Sequence, residues 1–234
     1  MNKMPHPPIR SYVLRQGRLT KGQRHAFETY RSRYLLPYDG QPVNLDSLFG
    51  RSAERVLEIG FGNGESLLEQ ALASPDKDFI GIEVHAPGVG HLMVEAERQG
   101  ISNLRLFQYD AVEVLQACIS DGALDVVQVF FPDPWPKKRH HKRRIIQPAF
   151  VELLITKLKD GGRLHCATDW TPYAEHMMEV LSALPSLSNV VSAGEYFKGA
   201  DVFRPLTKFE RRGLRLGHTI KDLVFEKRNG HTNS

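Results

Sequence analysis

Cysteine is scarce: the 234 residues hold two, Cys118 and Cys166. They lie far apart in apolar surroundings, VLQACI and RLHCAT, which argues against a thiolate metal site and a disulfide framework. Buried thiols in a reducing cytoplasm are expected instead. No run approaches the ~20 apolar residues needed to cross a bilayer, and the N-terminal residues lack the apolar core of a secretory signal. A soluble, cytoplasmic protein is therefore expected. Acid is nearly missing from the first 37 residues, where Glu28 stands alone against Lys3, Arg10, Arg15, Arg18, Lys21, Arg24, Arg31 and Arg33. The formal net charge is only +4, so basicity is concentrated rather than general. A hydrophobic content of 41% with 25% charged residues excludes wholesale disorder and fits one domain with an extension.

A second basic segment follows an apolar run, in FFPDPWPKKRHHKRR (Phe130 to Arg144). Six Lys or Arg and two His fill residues 137–144, just after a single carboxylate, Asp133. Such a run reads as a solvated loop, a targeting signal or a grip on phosphates. Two concentrated basic segments on an otherwise balanced chain are the footprint of a polyanionic partner.

Residues 1–50, rich in Pro and Arg with weak periodicity, read as a basic, partly flexible arm with one short helix. Residues 51–234 read as one domain. RVLEIG, DFIGIEV, NLRLFQYD, ALDVVQVFF and GRLHCATD are five short apolar runs. Helical patterns separate or follow them: ESLLEQALAS, GHLMVEAERQG, AVEVLQACI, IQPAFVELLITKLKDGG and TPYAEHMMEVLSAL. Strands apolar throughout and alternating with helices predict an α/β fold, a mostly parallel doubly wound sheet. NVVSAGEYF and KDLVFEK predict two late strands forming an antiparallel C-terminal edge.

Ligands of such sheets bind at the carboxyl ends of the strands, near the topological switch point. The first predicted strand ends in LEIGFGNGES, where Gly60, Gly62 and Gly64 permit a tight turn and close ligand approach. The spacing is G-x-G-x-G, and the dinucleotide fingerprint fails because position 65 is Glu65. Glu58 would oppose a pyrophosphate but suits an ammonium, such as that of S-adenosylmethionine. Glu83 ends the second strand, placed to accept from ribose hydroxyls, and Asp110 ends the third, placed to meet an adenine amino group. Any one of these acids also reads as a helix cap or loop charge. Three in register behind the glycine loop favour S-adenosylmethionine, with NAD the alternative because Glu83 suits its ribose equally well. No metal site is expected.

The fourth strand ends at Asp133, between prolines at 132, 134 and 136 that hold the loop rigid and non-helical. Asp133 reads as a turn residue or as a group held at the reaction centre. Asp169, in TDWTP, reads equally as a helix N-cap or a substrate contact. Trp135 and Phe209 read as packing aromatics or base-stacking platforms.

The blocks EIGFGNG, GIEVHAPGVG, FFPDPWPKKRHHKRR, ATDW and TKFERRG, spanning about Glu58 to Arg212, resemble the signature blocks of the bacterial tRNA (guanine-N7-)-methyltransferases. The resemblance implies a Rossmann-like class I methyltransferase fold that methylates guanine N7 in the tRNA variable loop with S-adenosylmethionine. It assigns cofactor contacts to Glu58, Glu83, Asp110 and Asp133, with Asp133 also the catalytic candidate. Substrate contacts fall to Lys137, Asp169, Thr207, Lys208, Phe209 and Glu210. The stretch Arg139, His140, His141, Lys142, Arg143 and Arg144 is similar to the family's RNA-interacting segment. Among rival readings, a small-molecule methyltransferase leaves both basic segments without work, and a non-catalytic RNA-binding module leaves the row of acids unexplained. An NAD-dependent oxidoreductase is disfavoured by Glu58 and the glycine spacing. Monomer and homodimer both remain open.

Overall fold

In the computed structural model, which describes residues 17–198 and 219–230, the chain opens with α1 (Lys21–Thr29), α2 (Arg31–Tyr34), a short strand β1 (Leu35–Leu36) and α3 (Leu45–Phe49). Thr20 starts α1 with a capping box, its hydroxyl accepting from Gln23 N while the Gln23 side chain accepts from Thr20 N. There follow β2 (Arg55–Ile59), α4 (Glu65–Ala73), β3 (Asp78–Ile82), α5 (Ala86–Arg98), β4 (Leu104–Phe107), α6 (Ala111–Ala117) and β5 (Leu124–Phe130). A 3₁₀ segment, Lys138–Arg143, leads to α7 (Pro148–Lys157), β6 (Leu158–Thr168), α8 (Thr171–Ser182), β7 (Leu187–Asn189) and β8 (Lys221–Lys227).

The eight strands form one sheet in the order β1-β4-β3-β2-β5-β6-β8-β7. Pairing is parallel from β1 to β6, while β8 runs antiparallel to β6 and to β7, as expected for the C-terminal edge. Every residue of β2 and β3 is buried, which explains why their sequences carry no polar alternation. Leu57 and Ile59 of β2 face a core closed by α6, α7 and α8, whereas Val56 faces one closed by α4 and α5. Burying a leucine such as Leu57 completely contributes ~1.5–3 kcal/mol. The chain leaves β2 toward β3 and β4 on one side and returns to β5 on the other. The switch point therefore lies between the carboxyl ends of β2 and β5.

Residues 21–49 hold more than the one short helix expected. Ala26 and Tyr34 are fully buried, and the Tyr34 hydroxyl sits 3.0 Å from both Glu97 Oε2 and Ile101 O. Gln23 donates to Pro87 O across the α1–α5 contact. Nothing local in the basic sequence signals this packing, because it depends on α5 and β4 as partners.

Three element boundaries differ from expectation. Helix α5 begins at Ala86 rather than Gly90, with Pro87 in its first turn where no helical N–H is required. Helix α7 stops at Lys157 instead of continuing to the glycines, because Leu158 is already extended (ψ 139°) and pairs with Leu124. The LKDGG stretch then makes a register shift within β6, and a side chain at position 162 would crowd Lys159 O at 2.8 Å. Of NVVSAGEYF only Asn189 lies in β7. Its side-chain amide donates to Ser192 O and Glu195 O, turning the chain, and Phe197 makes a lone antiparallel bridge to Asp222.

Candidate active site

At the switch point the ends of β2, β3, β4 and β5 enclose a cavity of about 240 Å³. That lies near the lower edge of the roughly 300–1,000 Å³ usual for small-molecule sites, so it suits a cofactor and not a macromolecule. Its wall includes Gly60, Glu83, Asp110 and Asp133, four residues from four different strand ends. Ile59, Ile82 and Val129 supply an apolar floor. The carboxylates supply acceptors where ribose hydroxyls and an adenine amino group supply donors, so the residues present fit a nucleoside-bearing cofactor.

Two of the acids also have a structural duty. Glu83 accepts from the backbone N–H groups of Gly62 (2.9 Å), Val84 (2.7 Å) and His85 (2.9 Å), and so ties the glycine loop to the end of β3. Asp110 caps α6, accepting from Val112 N (2.8 Å) and Glu113 N (3.2 Å). Both readings of Asp110 thus hold in one residue, because a carboxylate offers about four lone-pair sites and the cap leaves some of them for a ligand. Glu58 is placed differently. It is 3% exposed within β2, in register with Gly81 and Gln128, and does not form part of the cavity wall.

The glycine loop depends on backbone conformations that side chains resist. Gly60, Gly62 and Gly64 have φ of 74°, 59° and 77°. A further constraint comes from Gly88, in the first turn of α5, where an added Cβ would fall on the carbonyl oxygen of Gly62. Gly88→Ala ordinarily favours a helix. Here it is expected to push the loop away and weaken binding of the cofactor expected from the sequence, probed with S-adenosylhomocysteine, by roughly 10-fold or more, short of the ~10²-fold that a ~1 Å misplacement can cost a rate. Calorimetric titration measures this, and an unchanged affinity would show that the loop does not position the ligand.

The loop after β5 is strained. Phe131 and Trp135 are the non-glycine residues with positive φ among those described, at 49° and 44°. Each precedes a proline, and such backbones cost ~1–3 kcal/mol each and persist only where the surroundings impose them. Phe131 N donates to Ala167 O (2.8 Å), which anchors the loop to the end of β6. Asp133 sits exposed between the two strained residues.

The basic run that follows divides into two classes. Lys137, Lys138, Arg139 and Lys142 are exposed, the last three within the 3₁₀ segment. Arg143 stacks its guanidinium 5.0 Å from the Trp135 ring centroid, and His140 packs edge-on against the same ring. Trp135, one of the two expected base-stacking candidates, is thereby engaged within its own loop. Partial burial, then the surrounding Arg139, Arg143, Lys137 and Lys142, lower the His140 pKa, so near neutral pH this imidazole adds little to the positive charge. Arg144, expected with its neighbours on phosphates, is instead only 3% exposed.

Asp169 is exposed at the end of β6, next to the strand that delivers Asp133. The N-cap position of α8 is Trp170, so Asp169 stands one residue before the cap. Thr207, Lys208, Phe209 and Glu210 lie outside the described residues. Cys118 and Cys166 are buried, and burial pushes the Cys166 thiol up to about 12, which removes it as a nucleophile. No helix among the described residues is long and apolar enough to cross a membrane.

Two aromatic residues at the cavity were not anticipated. Tyr109 lines it beside Asp110 and is stacked on Tyr38, with centroids 3.9 Å apart and planes 11° apart. The parallel register Leu36↔Phe107 explains the stack, since two residues further along each chain come Tyr38 and Tyr109. Tyr109 could have been suspected from its place in FQYD, but Tyr38 has no local signal.

Comparisons with known proteins show the family and the fold. A family model described as "Putative methyltransferase" matches residues 52–223. The chain is 58% identical over 220 residues to the tRNA (guanine-N(7)-)-methyltransferase of Alcanivorax borkumensis, covering 94% of this chain and 92% of that one. It is 55% identical over 223 residues to the enzyme of the same name from Pseudomonas entomophila, covering 95% and 92%. Among solved structures, a variant 16S rRNA (adenine(1408)-N(1))-methyltransferase from Catenulisporales acidiphilia, crystallised with its cosubstrate SAM, superposes with a TM-score of 0.57 at 18% identity. That superposition covers 85% of this chain and 96% of the other, and it establishes a shared fold.

Proposed function

The chain belongs to the tRNA (guanine-N(7)-)-methyltransferases, and we propose that it holds S-adenosylmethionine at the ends of β2 to β5 and acts on a guanine of the tRNA variable loop. The observation that carries this reading is the placement of Asp133 in one cavity wall with Glu83 and Asp110, immediately before the exposed cations.

When bound, S-adenosylmethionine supplies an electrophilic methyl carbon on a sulfonium. Glu83, with three of its roughly four acceptor sites taken by backbone N–H groups, would accept from one ribose hydroxyl, while Asp110 would accept from the adenine amino group beside Tyr109. The end of β2, where Gly60, Gly62 and Gly64 let the backbone approach, would hold the ammonium; Glu58 is the carboxylate of that strand, buried and outside the cavity wall. Guanine N7 carries a free lone pair, so no residue has to remove a proton before the transfer. Positioning and electrostatics then supply the rate. Asp133 accepts from the N1–H and amino edge of the guanine, leaving N7 exposed, and its negative charge stabilises the positive charge growing on the purine. Asp169, on the neighbouring strand end, shares the orienting role. The exposed Lys137, Lys138, Arg139 and Lys142 hold phosphates, contacts that give affinity without sequence identity.

Incubation of bulk tRNA with methyl-labelled S-adenosylmethionine, followed by mass spectrometry of the digested RNA, tests the reading. Label in 7-methylguanosine mapped to the variable loop is expected. Label at another position would overturn the site assignment, and label in small molecules alone would overturn the tRNA reading.

A further inference from the structure

The basic run is continuous in sequence but not in space. Its last member, Arg144, turns inward, 3% exposed. Its Nε–H donates to the carbonyl oxygen of Pro134 at 3.0 Å, and one terminal nitrogen lies 3.2 Å from His141 Nε2. The guanidinium centre sits 4.8 Å from the ring centroid of Tyr173, a fully buried residue of α8. Tyr173 is itself fixed, since its hydroxyl accepts from Ile146 N at 3.3 Å.

Pro134 directly follows Asp133 and lies between the two residues with positive φ. A backbone in that conformation persists only where surrounding contacts impose it. The hydrogen bond from Arg144 reaches the middle of the strained stretch, and its other end is anchored through Tyr173 to the helix after β6. We propose that Arg144 is a positioning residue that sets the Asp133 carboxylate at the base, and that it is not one of the cations that hold RNA phosphates. This rests on the reading that Asp133 acts on the guanine.

The geometry demands arginine and not merely a positive charge. The Nε of the guanidinium donates to Pro134 while its centre lies over the Tyr173 ring; a lysine carries one compact ammonium with no second donor fixed in a plane, so it cannot hold both positions in this geometry. Arg144→Lys therefore keeps the charge and most of the buried stem but loses the hold on Pro134. A fall in kcat of roughly 10- to 100-fold at saturating tRNA is expected, the scale of a small displacement of a catalytic group. The dissociation constant for tRNA and its dependence on salt should stay at wild-type values. Arg144→Gln should likewise leave the salt slope unchanged, whereas Lys142→Gln should flatten it by about one phosphate contact. If Arg144→Gln flattened the slope as Lys142→Gln does and Arg144→Lys kept its kcat, Arg144 would be a phosphate contact and the proposal would be overturned.

A mutant cycle separates this proposal from the reading beneath it. Residues that act as a unit lose activity non-additively, so Asp133→Asn combined with Arg144→Lys should be no slower than Asp133→Asn alone. Additive losses would show that Arg144 acts elsewhere. Full turnover in Asp133→Asn alone would instead sink the role of Asp133, while the salt slopes would still decide whether Arg144 touches RNA. Should Arg144→Gln fail to fold, Arg144→Lys keeps the test open through its kcat and slope.

Discussion

Asp133→Asn is expected to lower kcat by ~10²- to 10³-fold, the range seen when one preorganised electrostatic contact to a transition state is removed. The change is nearly isosteric, so the loop and its strained neighbours stay in place, and two things are lost. The side chain no longer carries the charge that opposes the positive charge developing on the purine. Its amide also presents N–H donors beside the N1–H and amino donors of the guanine edge, where a carboxylate presents only acceptors. Affinity for tRNA should change by less than about twofold, because phosphate contacts dominate nucleic-acid affinity and they belong to other residues. Single-turnover methyl transfer with saturating tRNA, alongside equilibrium binding, measures both. Normal turnover would remove Asp133 from the chemistry. A lost affinity for S-adenosylhomocysteine with kcat preserved would move it from the base to the cofactor.

The second large effect concerns the exposed cations. Replacing Lys137, Lys138, Arg139 and Lys142 together by glutamine is expected to reduce the slope of log affinity against log salt by roughly 3, at ~0.7–0.9 per phosphate contact. Extrapolated to moderate salt, that corresponds to an affinity loss on the order of 10²-fold. These four residues were chosen because they are exposed, whereas Arg143 lies over Trp135 and Arg144 is buried. kcat at saturating tRNA should fall far less than in Asp133→Asn, so the two variants should divide cleanly between affinity and rate. A slope unchanged in the quadruple variant would mean that the run is a solvated loop.

Much of this site is legible in the sequence. The acids Glu83, Asp110 and Asp133 were expected at successive strand ends, and those ends meet at one cavity. Apolar runs broken by helical patterns locate strand ends to within about three residues, Asp110 lying three past the end of β4 at the cap of α6, and a parallel sheet lines its carboxyl ends up on one side. Glu58 was also read from its spacing to the glycines, but spacing does not say which way a side chain points from a pleated strand. The glycine loop was recognised, but not the helix packed against it. Gly88 appears in GIEVHAPGVG as one glycine among several, and only the approach of α5 to Gly62 gives it a reason.

The sequence by itself determined the α/β layering, the antiparallel last edge and the chemical character of the site. Each of these follows from local residue type and period. Burial on both faces demands strands apolar throughout, and positive φ in the loop after β2 demands glycine. Tertiary structure decided what depends on partners distant in the chain. Tyr38 meets Tyr109 because β1 pairs with β4 in a register that neither segment encodes alone. Arg144 parts from Lys142 because Tyr173 and the Pro134 carbonyl offer it a face and an acceptor inside. In the sequence the two are cations of one run; burial makes one of them a strut for the loop and leaves the other to the solvent, where a phosphate can reach it.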